Sequence, residues 1–147
     1  MRSEQWIVVG TDFSDGARAA LLRALSIAES SGAGVALVHA YEEQAGAREI
    51  EDPTPRLLGQ LAEEIAASGA TRRGIRVEPV VRRGAPWDKI LNVATEYGAE
   101  FVAVGATGQR GGGFPLGCVA SRVLALSARP VIVAPSTVRE VGARSRD

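Results

Sequence analysis

The chain has 147 residues, 46% hydrophobic and 23% charged, with 17 basic and 17 acidic side chains and no formal net charge. That length holds one domain with a real core and is too short for two ordinary ones. The balanced charge argues against a nucleic-acid partner and against an anionic membrane surface, both of which call for a basic face.

In chain order, WIVVG (6–10) is a short apolar run rich in β-branched residues and reads as a buried strand. Ser14 is placed to cap a helix with Asp15 in its first turn, Leu21, Leu25 and Ala28 recur at helical spacing, and Gly32 stops it. GVALVHA (34–40) is a second buried strand, and 42–52 reads as a polar loop. A helix is expected from about 56 to 69, with Leu58, Leu61 and Ile65 on its apolar face. IRVEPVVRRG follows as a strand in which Val77, Pro79 and Val81 alternate; proline cannot donate a ladder hydrogen bond, so this strand belongs at a sheet edge. Pro86 suits a first helical turn, Trp87, Ile90, Leu91 and Ala94 form the apolar stripe, and Gly98 ends the helix. EFVAVG is a fourth strand; a glycine-rich segment leads into a helix through Val119, Val123 and Leu126; PVIVAP is the last strand; 136–147 is a polar tail.

Strict alternation of strand and helix builds a parallel sheet with helices on both faces. With the third strand at an edge, the expected order is 3-2-1-4-5. Ligands in such sheets bind at the carboxyl ends of the strands that flank the reversal of order. Those are strands 1 and 4, so GTDFSD and GATGQRGGGFPLG meet at one crevice. Six of the 17 glycines lie between Gly105 and Gly117. Glycine lets a phosphate approach the backbone, and the helix that follows offers free N–H groups and the positive end of its dipole. Thr107, Gln109 and Arg110 add donors. Asp12, at the end of strand 1, suits ribose hydroxyls, an amino group, or a metal beside phosphates. The segment is neither a Walker A loop, having no GK[ST], nor a dinucleotide fingerprint, since no GxGxxG follows the first strand. Slack surface loops remain the other reading of the same glycines.

Five blocks in order, VVGTDFSDGARAAL, ALVHA, GAPWDKIL, VAVGATG and LGCVASRVLALSARPVIVAP, make the chain resemble a universal stress protein of the UspA type over nearly its whole length. The resemblance implies one UspA-like domain, 1–147, with the open parallel 3-2-1-4-5 sheet of Rossmann-like, adenine nucleotide alpha hydrolase-like folds. One branch of that family binds ATP through Gly-x2-Gly-x9-Gly-Ser/Thr after strand 4. Here Gly105 and Gly108 match, Gly117 follows after eight intervening residues instead of nine, and Cys118 stands at the hydroxyl position. By resemblance, Thr11, Asp12 and Ala40 face the adenosine. Val104, Gly105 and Gly108 flank ribose and phosphates, with Arg110 as a further ligand of the phosphates or a solvated loop residue. Gly117, Cys118 and Val119 hold the phosphate end. The implied cofactor is ATP or AMP, with or without Mg, or none where the altered motif has lost binding. The implied assembly is a homodimer through the 130–135 strand, whose apolar run from Val131 to Ala134 no charge or internal proline protects.

His39, the only histidine, lies in an apolar strand and reads as structural, because no nucleophile motif accompanies it. Cys118, the only cysteine, reads as a small core residue or as a redox thiol at a helix N-terminus. One cysteine forms no internal disulfide, which suits a reducing compartment. MRSEQWIVVG lacks a signal-peptide core, and no run approaches the roughly 20 apolar residues of a membrane span, so a cytoplasmic location is expected. Trp6 and Trp87 read as packing residues, and the arginines at 72, 73, 76, 82 and 83 as solvated turns and strand ends. Two functional readings stand foremost: a nucleotide-binding stress-response switch, with at most slow hydrolysis, and an interaction module of the same family that binds no nucleotide. A redox protein acting through Cys118 is the third.

Overall fold

The structure, a computed structural model, describes residues 4–43, 51–107 and 116–135. Nine elements alternate without exception: β1 (Trp6–Gly10), α1 (Asp15–Ser31), β2 (Gly34–Tyr41), α2 (Thr54–Ser68), β3 (Val77–Arg83), α3 (Pro86–Tyr97), β4 (Phe101–Gly105), α4 (Cys118–Leu126) and β5 (Val131–Ala134). The strands form one parallel sheet in the order β3-β2-β1-β4-β5. This is the topology expected from the alternation and from Pro79. That proline sits on the edge strand β3, in register with Leu37, and is exposed.

Successive side chains of a strand face opposite sides, so each central strand feeds two cores. Ile7, Val9, Val35 and Leu37 pack under α1 and α2 with Leu21, Leu25 and Leu61. Val8, Ala36, Val38 and Val102 pack under α3 and α4 with Ile90, Val93 and Val123. Burial on both faces is why these strands read as unbroken apolar runs. At the amino end of the sheet Trp6 lies edge-on to Tyr97, with ring centroids 5.0 Å apart. A Cβ on Gly34 would stand 2.8 Å from the Trp6 ring, so the indole occupies the space that glycine leaves.

Three details differ from the sequence reading. Helix α2 begins at Thr54, with Pro53 as its N-cap, rather than near 56. Its buried face runs through Leu57 and Leu61, while Leu58 is 37% exposed. Adjacent leucines both fit a helical spacing to Leu61, and only the packing against β2 and β3 decides between them. Leu126, through which the last helix was expected to run with Val119 and Val123, ends α4 exposed. The arginines after α2 and on β3 are surface groups paired with glutamates: Arg73 with Glu29 (2.9 Å), Arg76 with Glu4 (2.7 Å), Arg82 with Glu96 (2.8 Å) and Arg83 with Glu43. These pairs hold Glu4 and Glu29 below the usual carboxylate range, chiefly by the hydrogen bond each accepts from its arginine. Among the described residues no helix is long and apolar enough to cross a membrane.

Candidate functional site at the carboxyl end of the sheet

In a parallel sheet with right-handed crossovers every strand ends, and every following helix begins, on the same side. Here the starts of α1, α3 and α4 converge on the ends of β1, β2 and β4. They enclose a crevice of about 320 Å³. Small-molecule sites run from ~300 to 1,000 Å³, so this one has room for a small ligand.

Each wall has its own chemistry. Val38, Ala40, Pro86 and Ile90 give an apolar side between β2 and α3. Thr11, Asp12 and Ser14 give a polar side where β1 turns into α1. Gly105, Ala106 and Thr107 line the end of β4, and Gly117, Cys118, Val119 and Ala120 present the start of α4.

The β1–α1 turn is held by local hydrogen bonds. Thr11 N–H continues the ladder to Val38 O (2.8 Å), and Thr11 Oγ1 accepts from Phe13 N–H (2.9 Å). Asp12 Oδ1 accepts from Ser14 N–H (3.0 Å), and Ser14 Oγ accepts from Ala17 N–H (3.2 Å). Ser14 thus caps α1, as its position predicts. Between them Phe13 takes a left-handed φ of 66°, the only positive φ of a described non-glycine residue. That conformation costs an L-residue on the order of 1–2 kcal/mol.

The start of α4 is built the other way. Its N-cap is Gly117, which has no side chain to satisfy the first turn. Gly117 N–H is taken by Ala106 O (2.6 Å), which fixes the entry of the helix against the end of β4. The first turn of α4 thus meets the crevice with no side-chain hydrogen bond from its N-cap. So α1 is capped by a side chain, and α4, whose N-cap is a glycine, is not.

At Gly105 the close neighbour is the protein's own backbone. A Cβ there would stand 2.5 Å from the carbonyl carbon of Gly16 and 2.9 Å from Ala17 N. The neighbour at this glycine is the backbone of α1. Gly105 lines the crevice because α1 must cross over it, and its lack of a side chain is a packing requirement.

Thr11, Asp12, Ala40, Val104, Gly105, Gly117, Cys118 and Val119, all singled out in the sequence, line this one crevice. Gly108 and Arg110 lie outside the described residues. Cys118 is exposed at the first position of α4 and is not a core residue; Val119 and Ala120 of the same turn are the side chains that pack on the sheet, while Cys118 lines the crevice. His39 keeps its structural reading: it is half-buried, and its Nδ1 lies 2.8 Å from Thr11 O. Pro86, Ile90 and Val38 escaped the sequence reading, in which they were a helix start, an apolar stripe and a strand residue. The available signal was topological, since the first turn of any helix in this fold lies at the carboxyl end of the sheet. Among the described lining residues Asp12 and Cys118 are the titratable side chains. Among the described residues no group of three or more His, Cys, Asp or Glu is arranged to hold a metal.

The model of the universal stress protein family matches residues 5–135. No curated protein matches the chain. Among solved structures the chain is similar to a universal stress protein in complex with cAMP, at 29% identity over 92% of this chain and 100% of that one, with a TM-score of 0.68. It is similar in fold to the hypothetical protein MJ0577, at 24% identity over 91% of this chain and 97% of that one, TM-score 0.71. The same holds for a universal stress protein from Archaeoglobus fulgidus in complex with dAMP, at 24% identity over 91% and 99%, TM-score 0.63. The family match spans all nine elements and both segments of the crevice, and the chain belongs to the universal stress protein family.

Proposed function

We propose that this protein binds an adenine mononucleotide in the crevice and serves as a stress-response switch rather than a fast enzyme. The observation that carries the reading is the pairing of two unlike ends in one cavity. The glycine-capped start of α4 is open to an anion, and the Asp12 carboxylate stands on the β1 side. The apolar side of Val38, Ala40, Pro86 and Ile90 suits the faces of a purine. Asp12 suits an amino group or ribose hydroxyl, both donors. Phosphate suits the N–H groups of Cys118, Val119 and Ala120 together with the helix dipole. The relative solved with cAMP supports the same class of ligand.

A switch is favoured over turnover because the described lining offers one carboxylate and one thiol, not a matched acid and base. Mg, if it accompanies a triphosphate, would find Asp12 as its one carboxylate among the described lining residues. Mass spectrometry of the protein released from a gentle purification tests the reading. Co-purified AMP, cAMP or ATP in near-stoichiometric amount is expected; protein that carries none, and takes up none when supplied, counts against it.

A second reading draws on a specific observation. Gly117 follows Gly108 one residue early, and Cys118 offers a weak donor where a hydroxyl is expected. A chain so altered could serve as an interaction module without nucleotide. On either reading a homodimer is proposed through β5, whose Val131, Ile132 and Val133 stay only partly buried at the outer edge of the sheet.

A further inference from the structure

His39 and Ala40 are neighbours at the carboxyl end of β2, and strand alternation sends them to opposite faces of the sheet. Ala40 lines the crevice, whereas His39 is not among its lining residues. The imidazole lies instead beside Phe13, with ring centroids 4.7 Å apart, and Phe13 packs with the α1–α2 core. Its Nδ1 is 2.8 Å from Thr11 O. A carbonyl only accepts, so Nδ1 carries the proton and donates it. One ring thereby holds the turn at two points, the carbonyl of Thr11 and the side chain of Phe13. Between those points sits Asp12.

The turn needs holding. Phe13 has a φ of 66°, and a conformation of that kind persists only where its surroundings over-determine it. The local hydrogen bonds accepted by Thr11 Oγ1, Asp12 Oδ1 and Ser14 Oγ are the first set of constraints, and the imidazole, reaching in from β2, is the second. Removing the second lets Phe13 relax toward ordinary dihedrals, and Asp12 moves with it. We infer that His39 is a positioning residue for the crevice: it keeps the Thr11–Ser14 turn in the strained shape that presents Thr11 and Asp12 to a nucleotide, while touching no nucleotide itself. The inference rests on the nucleotide reading above, and its test separates the two.

Three proteins are compared: the parent, His39→Phe and His39→Gln. Phenylalanine keeps a ring against Phe13 and removes the donor; glutamine restores a side-chain N–H donor. AMP affinity is measured by calorimetry, and amide hydrogen exchange of Phe13 and Ser14 by NMR on nucleotide-free protein. His39→Phe should weaken AMP about tenfold, the worth of one hydrogen bond, and His39→Gln should stay within about threefold of the parent. Exchange at Phe13 and Ser14 should rise in His39→Phe while the amides of β1 and β4 keep their protection. Equal AMP affinity in the parent and His39→Phe overturns the inference, as does unchanged exchange in the turn. Protection lost across the whole sheet, with no rescue by glutamine, would make His39 a folding residue and also overturns it. A parent protein that binds no AMP defeats the nucleotide reading, and the exchange measurement then decides the role of His39 by itself.

Discussion

Gly105→Ala adds one methyl group at the point where β4 and α1 touch. The new Cβ would meet Gly16 C at 2.5 Å, Gly16 O at 2.8 Å and Ala17 N at 2.9 Å. All three atoms belong to the backbone, so no side-chain rotation relieves the contact and the start of α1 must shift. Overpacking costs about 1–3 kcal/mol where side chains can yield, and a backbone neighbour puts this site at the upper end, about 3 kcal/mol. In a domain of this size each kcal/mol moves the melting midpoint by roughly 2–4 °C, so a loss of about 6–12 °C is expected. Circular dichroism melts, with urea midpoints beside them, measure it. Gly59→Ala is the matched control. Gly59 lies within α2, and an added Cβ there meets nothing within 4 Å. That substitution should stabilise by about 0.5–1 kcal/mol through helix propensity. Because Ser14 and Ala17 line the crevice, Gly105→Ala should also weaken nucleotide binding. A Gly105→Ala protein that melts within about 1 °C of the parent would refute the close-approach reasoning.

Other expectations follow from single contacts. Asp12→Ala should weaken AMP by at least about tenfold, since hydrogen bonds to a charged group are worth ~1.5–3 kcal/mol; calorimetry showing equal affinity removes Asp12 from the site. Cys118→Ser should tighten ATP by restoring a hydroxyl donor at the start of α4, and unchanged or weaker binding would assign the geometry to the shortened loop. Ile132→Lys should turn a dimer into monomer or aggregate by light scattering, and a parent that is already monomeric at micromolar concentration removes the β5 interface. Tyr97 is raised above its ordinary pKa of 10.0, first by burial and then by the hydrogen bond it donates to Glu78 (3.0 Å). The folded state holds that proton more tightly than the unfolded one, so its stabilisation is complete below about pH 10 and is lost as pH rises through the folded value. Denaturation midpoints across about pH 9–11 should fall more steeply for the parent than for Tyr97→Phe, and parallel slopes would contradict this.

The topology was readable because both determinants are local in sequence. Apolar runs alternate with helical spacing, and Pro79 marks one edge. The floor of the site followed from topology, since Thr11, Asp12, Gly117 and Val119 sit where strands end and helices begin. What escaped reading is tertiary. Gly105 looked like a glycine for a ligand, and the atom it avoids, in Gly16, is known only once α1 folds over β4. Leu57 and Leu58 offer equivalent helical spacings, and the choice is made by β2 and β3. The histidine was recognised as structural, while its partner, the carbonyl of Thr11, lies on a neighbouring strand end and carries no sequence signal. Cys118 was read by residue type, and residue type does not say that the first residue of α4 lines the crevice.

Titration of the protein with AMP, followed through its backbone amide resonances, tests the central claim most directly. Saturable shifts concentrated at Thr11, Asp12 and the amides of Cys118, Val119 and Ala120, with the amino end of the sheet around Trp6 and Gly34 unmoved, are the predicted result. Resonances that stay fixed to millimolar AMP, or that move only at sites remote from the carboxyl ends of β1 and β4, would contradict it.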